Sequence, residues 1–194
     1  MKRILALLTA LVMVLTCTAA LAATAVNNGS SSSSSSDLSS VTPFKFQHMP
    51  NGIGCGTCPV YSAPYYNAYR CANGKASCAT NSYIDVGGFS EQGWLLVRYS
   101  TNNGGTRVGW IPPKYVKGVY TSMSPHFTYI AQVATQKTNV SDNNLAPTDP
   151  SSIFAVLDEG ETYYIVGRYN YYNYDLWYIE FYIGDQPARG FILK

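Results

Sequence analysis

The cysteines are the residues of this chain best suited to chemistry. Four of the five cluster: Cys55 and Cys58 in a C-x-x-C arrangement, then Cys71 and Cys78. A thiolate can attack an electrophile, bind a metal or couple to a second thiol. An even count in a small exported domain favours two disulfides, and four cysteines allow three pairings. Asn73-Gly74 predicts a tight hairpin that leaves Cys71 and Cys78 diagonal, so a bond between these two is not assured. As zinc ligands, Cys55 and Cys58 would form one good knuckle, but the C-x6-C spacing of Cys71 and Cys78 makes a poor second. As a redox dithiol, Cys55 and Cys58 lack the strand-to-helix context that lowers a thiol pKa. All four are therefore disulfide candidates, and no metal or cofactor is expected.

Other catalytic groups are sparse. The two histidines, His48 and His126, fall between predicted elements, away from any Ser, Cys or Asp context that would make a nucleophile–base pair. Asp158, Glu159 and Glu161 could in principle supply paired carboxylates for sugar hydrolysis, but they read better as an acidic turn. A cell-wall cysteine peptidase would need a separate catalytic domain for which the chain has no room. The expectation is a non-enzymatic protein with no catalytic residues.

Aromatic side chains are abundant, with 17 tyrosines. Two groups stand out: Tyr65, Tyr66 and Tyr69, and Tyr169 with Tyr171, Tyr172 and Tyr174. Consecutive side chains on a strand alternate between faces, so some of these rings must be exposed. Exposed tyrosines suit flat sugar faces or peptide segments; otherwise they cover a seam between modules. Arg98 and Arg107 join them as candidate ligand contacts, because charge is uneven along the chain. Residues 41–118 carry seven basic and two acidic side chains, and residues 122–194 carry four basic and eight acidic. Either the halves attract each other or the basic half meets an anionic envelope polymer.

The elements that must hold these groups begin after residue 25. Lys2-Arg3, an apolar run and Ala20-Leu21-Ala22 form a secretory signal peptide over 1–25. The rival reading is a lipoprotein attached at Cys17, into which Thr16 fits poorly. No other segment is long enough to span a membrane. Residues 26–42, with serine at every position from 30 to 36, read as a disordered linker. Without Lys2 and Arg3 the exported chain carries as many acids as bases, which argues against nucleic acid.

The remainder is patterned for strands. Gly, Pro, Asn and Ser interrupt runs of Tyr, Val, Ile and Phe at short intervals, and no long helical period occurs. Two stretches repeat: Trp94-Leu95-Leu96-Val97 leads through a turn to Arg107-Val108-Gly109-Trp110-Ile111, and Trp177-Tyr178-Ile179-Glu180 leads to Arg189-Gly190-Phe191-Ile192. The turns are Asn102-Asn103-Gly104-Gly105 and Gly184-Asp185-Gln186-Pro187. Strands are predicted over 59–61, 69–71, 75–79, 82–89, 94–99, 106–111 and 116–119, then over 129–134, 138–141, 162–169, 176–182 and 188–192. Leu95, Val97, Val108 and either Trp110 or Ile111 should point inward in the first module, and Ile179, Phe181 and Ile192 in the second.

Each half resembles a bacterial SH3-like (SH3b) domain of the kind found in exported proteins of Firmicutes. Pro59-Val60-Tyr61, Asn73-Gly74-Lys75 and Gly93-Trp94 carry the resemblance in the first half, with Thr138-Asn139-Val140-Ser141 and Leu157-Asp158-Glu159-Gly160 in the second. The resemblance implies an all-β protein with two tandem small SH3-like barrels, over 43–120 (with the cysteine elaboration) and 121–194. It implies no particular ligand. The expected function is binding or targeting at the cell envelope or outside it. The ligand would be a cell-wall polymer (peptidoglycan peptide, glycan or anionic polymer); the alternative is an extracellular protein or peptide in a structural assembly.

Overall fold

Among the described residues, short β-rich runs between Gly-, Asn- and Pro-containing turns form twelve strands and no long helix. They belong to a computed structural model that describes residues 37–48, 56–79, 84–117 and 127–194. The expected signal peptide, Cys17, Cys55, His126 and the junction expected between residues 120 and 121 lie outside the described residues.

The twelve strands are one pattern of six, used twice. β1 (Gln47–His48) precedes a hairpin of β2 (Thr57–Pro59) and β3 (Ser77–Ala79), then a meander of β4 (Ile84–Phe89), β5 (Leu95–Ser100) and β6 (Thr106–Ile111). β7 (Ile130–Val133) precedes a hairpin of β8 (Thr138–Ser141) and β9 (Ile153–Leu157), then β10 (Thr162–Tyr171), β11 (Tyr174–Ile183) and β12 (Gln186–Leu193). β1 pairs antiparallel with β4, as β7 does with β10. Both meanders carry a bulge in their first strand, between Val86 and Gly88 and between Ile165 and Gly167.

The hairpin of each copy crosses the last strand of its meander at one place. Tyr61 bridges Trp110 in the first, and Ser141 pairs with Phe191 in the second. Gly109 and Gly190 are required there by space. A Cβ on Gly109 would overlap Val60 Cγ1 and stand 2.9 Å from the Tyr61 carbonyl oxygen. The two glycines let a second strand approach. The sheets are antiparallel, in the orders β1-β4-β5-β6, β2-β3 and β7-β10-β11-β12-β8-β9. None closes into a barrel, because each crossing is a single residue pair and the far strand of each hairpin pairs only within its hairpin.

Both faces of the central strands are buried. Leu95, Val97 and Ile111 point into a core with Val60, Ala76 and Val86. Ile179, Phe181 and Ile192 point into a second core, which Val41 also enters. Residues 37–42, expected within the linker, thus contribute a 3-10 turn at Leu38–Ser40 and a buried valine. The opposite faces meet in a third core, where Trp94, Leu96, Val108 and Trp110 pack against Val166, Leu176, Tyr178 and Phe191. Trp110 Nε1 donates to the Tyr178 hydroxyl at 2.9 Å across this seam. The segment before β1 stitches the halves together. Pro43 bridges Arg168 in parallel, Gln47 pairs with Val86, Phe44 covers Gly167 beside one bulge, and Phe46 covers Gly87 within the other. All the described residues fall in one compact unit.

Candidate functional site

The two copies differ most in the loop of the hairpin. In the first copy the loop after Tyr61 is pinned at its base, where the Ser62 backbone N–H and hydroxyl donate to the Tyr69 carbonyl at 2.9 and 2.8 Å. Ala63, Pro64 and Ala68 are buried within it, which turns Tyr65 and Tyr66 outward. Tyr66 is 63% exposed, yet its ring stands edge-on against the buried Trp94 at 4.9 Å. Tyr61 meets the same indole at 5.3 Å, and the Arg70 guanidinium lies 5.1 Å from the Tyr61 ring. Tyr65 adjoins Tyr129, whose ring faces Tyr164 at 6.4 Å. Tyr129 is 53% exposed and accepts a 2.5 Å hydrogen bond from Arg189 Nη2. Its burial on the inner side pushes the phenol pKa up, with Glu180 and Tyr65 adding and Arg189 opposing. Tyr69 instead turns into the body of the protein, stacked on Phe154 at 5.9 Å.

The second tyrosine group divides. Tyr169 is buried at the seam, and Tyr171 stacks on it at 6.4 Å with an interplanar angle of 15°. Tyr174 packs against the seam core. Tyr172, at the tip of the β10–β11 hairpin with φ of 47°, is 89% exposed and meets Tyr171 edge-on at 4.5 Å. Of the seven tyrosines in the two groups, Tyr66 and Tyr172 project furthest, each supported from behind by another ring.

Arg98 and Arg107 have internal partners. Arg98 donates to Asp85 Oδ2 through Nε at 2.9 Å and through Nη2 at 2.5 Å, and reaches the Tyr169 hydroxyl across the seam at 3.2 Å. Arg107 Nε lies 3.0 Å from Asp142 Oδ1, and its Nη2 donates to the Ser151 carbonyl at 2.7 Å. Of these two pairs, Arg98–Asp85 lies within the first half and Arg107–Asp142 joins the halves. Arg107 and Asp142 sit in a cleft of about 990 Å³, lined also by Cys71, Lys75, Tyr99, Asn102, Asp149 and Ser151. Burial pushes the Asp142 carboxyl up to about 7, against the pull of Arg107 and a hydrogen bond with the Cys71 thiol. The Cys71 thiol is pushed up in turn, first by burial and then by Asp142.

Cys58 and Cys78 face each other in the first core, and no disulfide joins Cys58, Cys71 and Cys78. Among the described residues no three His, Cys, Asp or Glu side chains gather to hold a metal ion, and no helix is long and apolar enough to cross a membrane. His48 Nδ1 lies 3.4 Å from Asp85 Oδ1, and Glu161 caps the acidic turn by accepting from the Asp158 N–H at 2.8 Å.

Tyr129, Tyr164 and Asp142 were not singled out from sequence. Tyr129 and Tyr164 come together only through the β7–β10 register, in which Tyr164 pairs with Ala131, and no local window marks them. Asp142 follows β8 as Ser62 follows the equivalent strand, so aligning the two copies through their hairpins would have drawn attention to it. Comparison with protein-family models, with curated proteins and with solved structures gives no match.

Proposed function

We propose that this protein is an exported, non-enzymatic binding module that holds a cell-envelope ligand on its supported tyrosines. The observation that carries the reading is Tyr66, 63% exposed but braced at 4.9 Å by the buried Trp94. A ring already fixed in place loses little freedom when a ligand stacks on it, so more of the contact energy appears as affinity. Tyr172 offers a second such ring. Tyrosine faces suit sugar rings and peptide segments, so a cell-wall glycan or peptidoglycan peptide is the favoured ligand class. An anionic polymer is less favoured, because Arg98 and Arg107 are engaged within the protein.

The SH3-like reading is part of the proposal. Its support is the strand pattern used twice, with Gly109 and Gly190 at equivalent crossings. Secretion, or association with the envelope, follows from the signal peptide read over residues 1–25. A second reading is a structural or protein–protein module of an extracellular assembly. It is favoured by β7, an outer strand of the six-stranded sheet with Val133 exposed, which could accept a strand from a partner.

Retention on purified cell walls separates the two. Binding that falls in Tyr66→Ala and Tyr172→Ala supports the first; no retention at low or moderate salt rejects it.

A further inference from the structure

Three pairings of Cys55, Cys58, Cys71 and Cys78 are open from sequence, and the fold distinguishes among them. Cys58 and Cys78 are directly opposite on the antiparallel strands β2 and β3. Opposed residues on such strands have Cα atoms about 4.5–5.5 Å apart, within the range a disulfide spans. Both side chains point to the same face, into the first core, at 0% and 3% exposure. Their sulfurs lie 3.7 Å apart, so a change of side-chain torsion closes the remaining gap to the bonded length of about 2.05 Å. Cys71 is placed differently, in the turn after Arg70, with its thiol on Asp142.

We infer that Cys58 and Cys78 form a cross-strand disulfide, which staples the base of the loop that carries Tyr61, Tyr65 and Tyr66. The two thiols give up two protons and two electrons and gain one S–S bond. The electrons pass to an oxidising disulfide, which is cleaved to two thiols. The bond closes a loop whose ends are 20 residues apart. It restricts that loop in the unfolded chain, and in the folded protein it holds the tyrosines against Trp94.

The test uses the full chain refolded in oxidised and reduced glutathione, alkylated and digested with trypsin. Cleavage after Lys45, Arg70, Lys75 and Arg98 puts Cys55 and Cys58 on one peptide, Cys71 on a second and Cys78 on a third. The expected product is the 46–70 peptide joined to the 76–98 peptide, retained in Cys55→Ser and lost in Cys58→Ser. A link that disappears in Cys55→Ser, a link from 46–70 to the Cys71 peptide in place of the Cys78 peptide, or full alkylation of Cys58 and Cys78 would overturn the assignment. The readout is made in vitro and does not depend on the cell-wall reading.

Discussion

Gly109 and Gly190 occupy the same position in the two copies of the strand pattern. A Cβ on Gly109 would overlap Val60, and one on Gly190 would stand 2.5 Å from Val140 Cγ1 and 3.0 Å from the Ser141 carbonyl oxygen. Neither glycine has a positive φ, so the constraint is contact with the crossing strand and not backbone strain. Forcing atoms into such a site costs about 1–3 kcal/mol. Gly109→Ala and Gly190→Ala should each lower stability by about this amount in chemical denaturation. Gly56→Ala should be close to neutral, since nothing lies within 4 Å of its Cβ position. Equal effects at all three positions would count against the crossing.

This relationship also shows how far the sequence could be read. The strands predicted over 106–111 and 138–141 are observed at those bounds, and most others agree within a few residues. Turn-forming residues flank the first of these, Asn102-Asn103-Gly104-Gly105 before it and Pro112-Pro113 after it. The prediction over 69–71 fails because Tyr69 accepts the loop-closing bonds of Ser62 and the chain then turns. β1 is too short to carry a period. β9, Ile153-Phe154-Ala155-Val156-Leu157, is a continuous apolar run that was legible and was passed over. Among the core residues, Leu95, Val97 and Ile111 belong to one core, while Val108 and Trp110 belong to the seam. Alternation along a strand says which residues share a face, but not that both faces are covered.

The seam makes the halves energetically one body. Arg189 lies 2.7 Å from Glu180, and its guanidinium stands 5.3 Å from the Trp110 ring. Arg189→Met would leave the buried Glu180 carboxylate without its cation, at a cost of about 3–5 kcal/mol. Trp110→Phe would strip the buried Tyr178 hydroxyl of its donor, at about 1–3 kcal/mol. Both should shift a single transition, seen alike by tryptophan fluorescence and far-ultraviolet circular dichroism. Two separated transitions would contradict a shared core.

Asp142 gives stability a pH dependence of known sign. Burial raises its carboxyl from 3.8 to about 7. Between these values the folded protein holds a proton that the unfolded chain has lost, so stability falls as pH rises through this interval. Asp37, Asp149 and Asp175 have lowered pKa values, so their contributions are lost on acidification below the usual carboxylate range, outside this window. The melting temperature of the native protein should therefore decline between pH 4 and pH 7, and Asp142→Asn should flatten that decline. Parallel curves for the two proteins would show that Asp142 titrates at its ordinary value.

The aromatic loop can be separated from the fold by comparing exposed with buried rings. Tyr66 and Tyr172 are held by neighbours but cover little of the core, so Tyr66→Ala and Tyr172→Ala should each change stability by less than about 1 kcal/mol. Tyr178→Ala, which empties a fully buried position in the seam, should cost about 3–5 kcal/mol. Urea titrations of the three variants check this. A large loss in Tyr66→Ala would mean that the ring serves packing.

The central claim is that the supported tyrosines hold the ligand. Its most direct measurement is the affinity of the purified protein for isolated cell-wall material, for the native chain, Tyr66→Ala, Tyr172→Ala and the double variant. Loss of one stacking ring is worth about 0.5–1.5 kcal/mol, or about two- to tenfold in Kd. The account predicts such a loss in each single variant, a larger one in the double variant, and unchanged melting curves. Native affinity in the double variant, or no binding by the native chain, would contradict it.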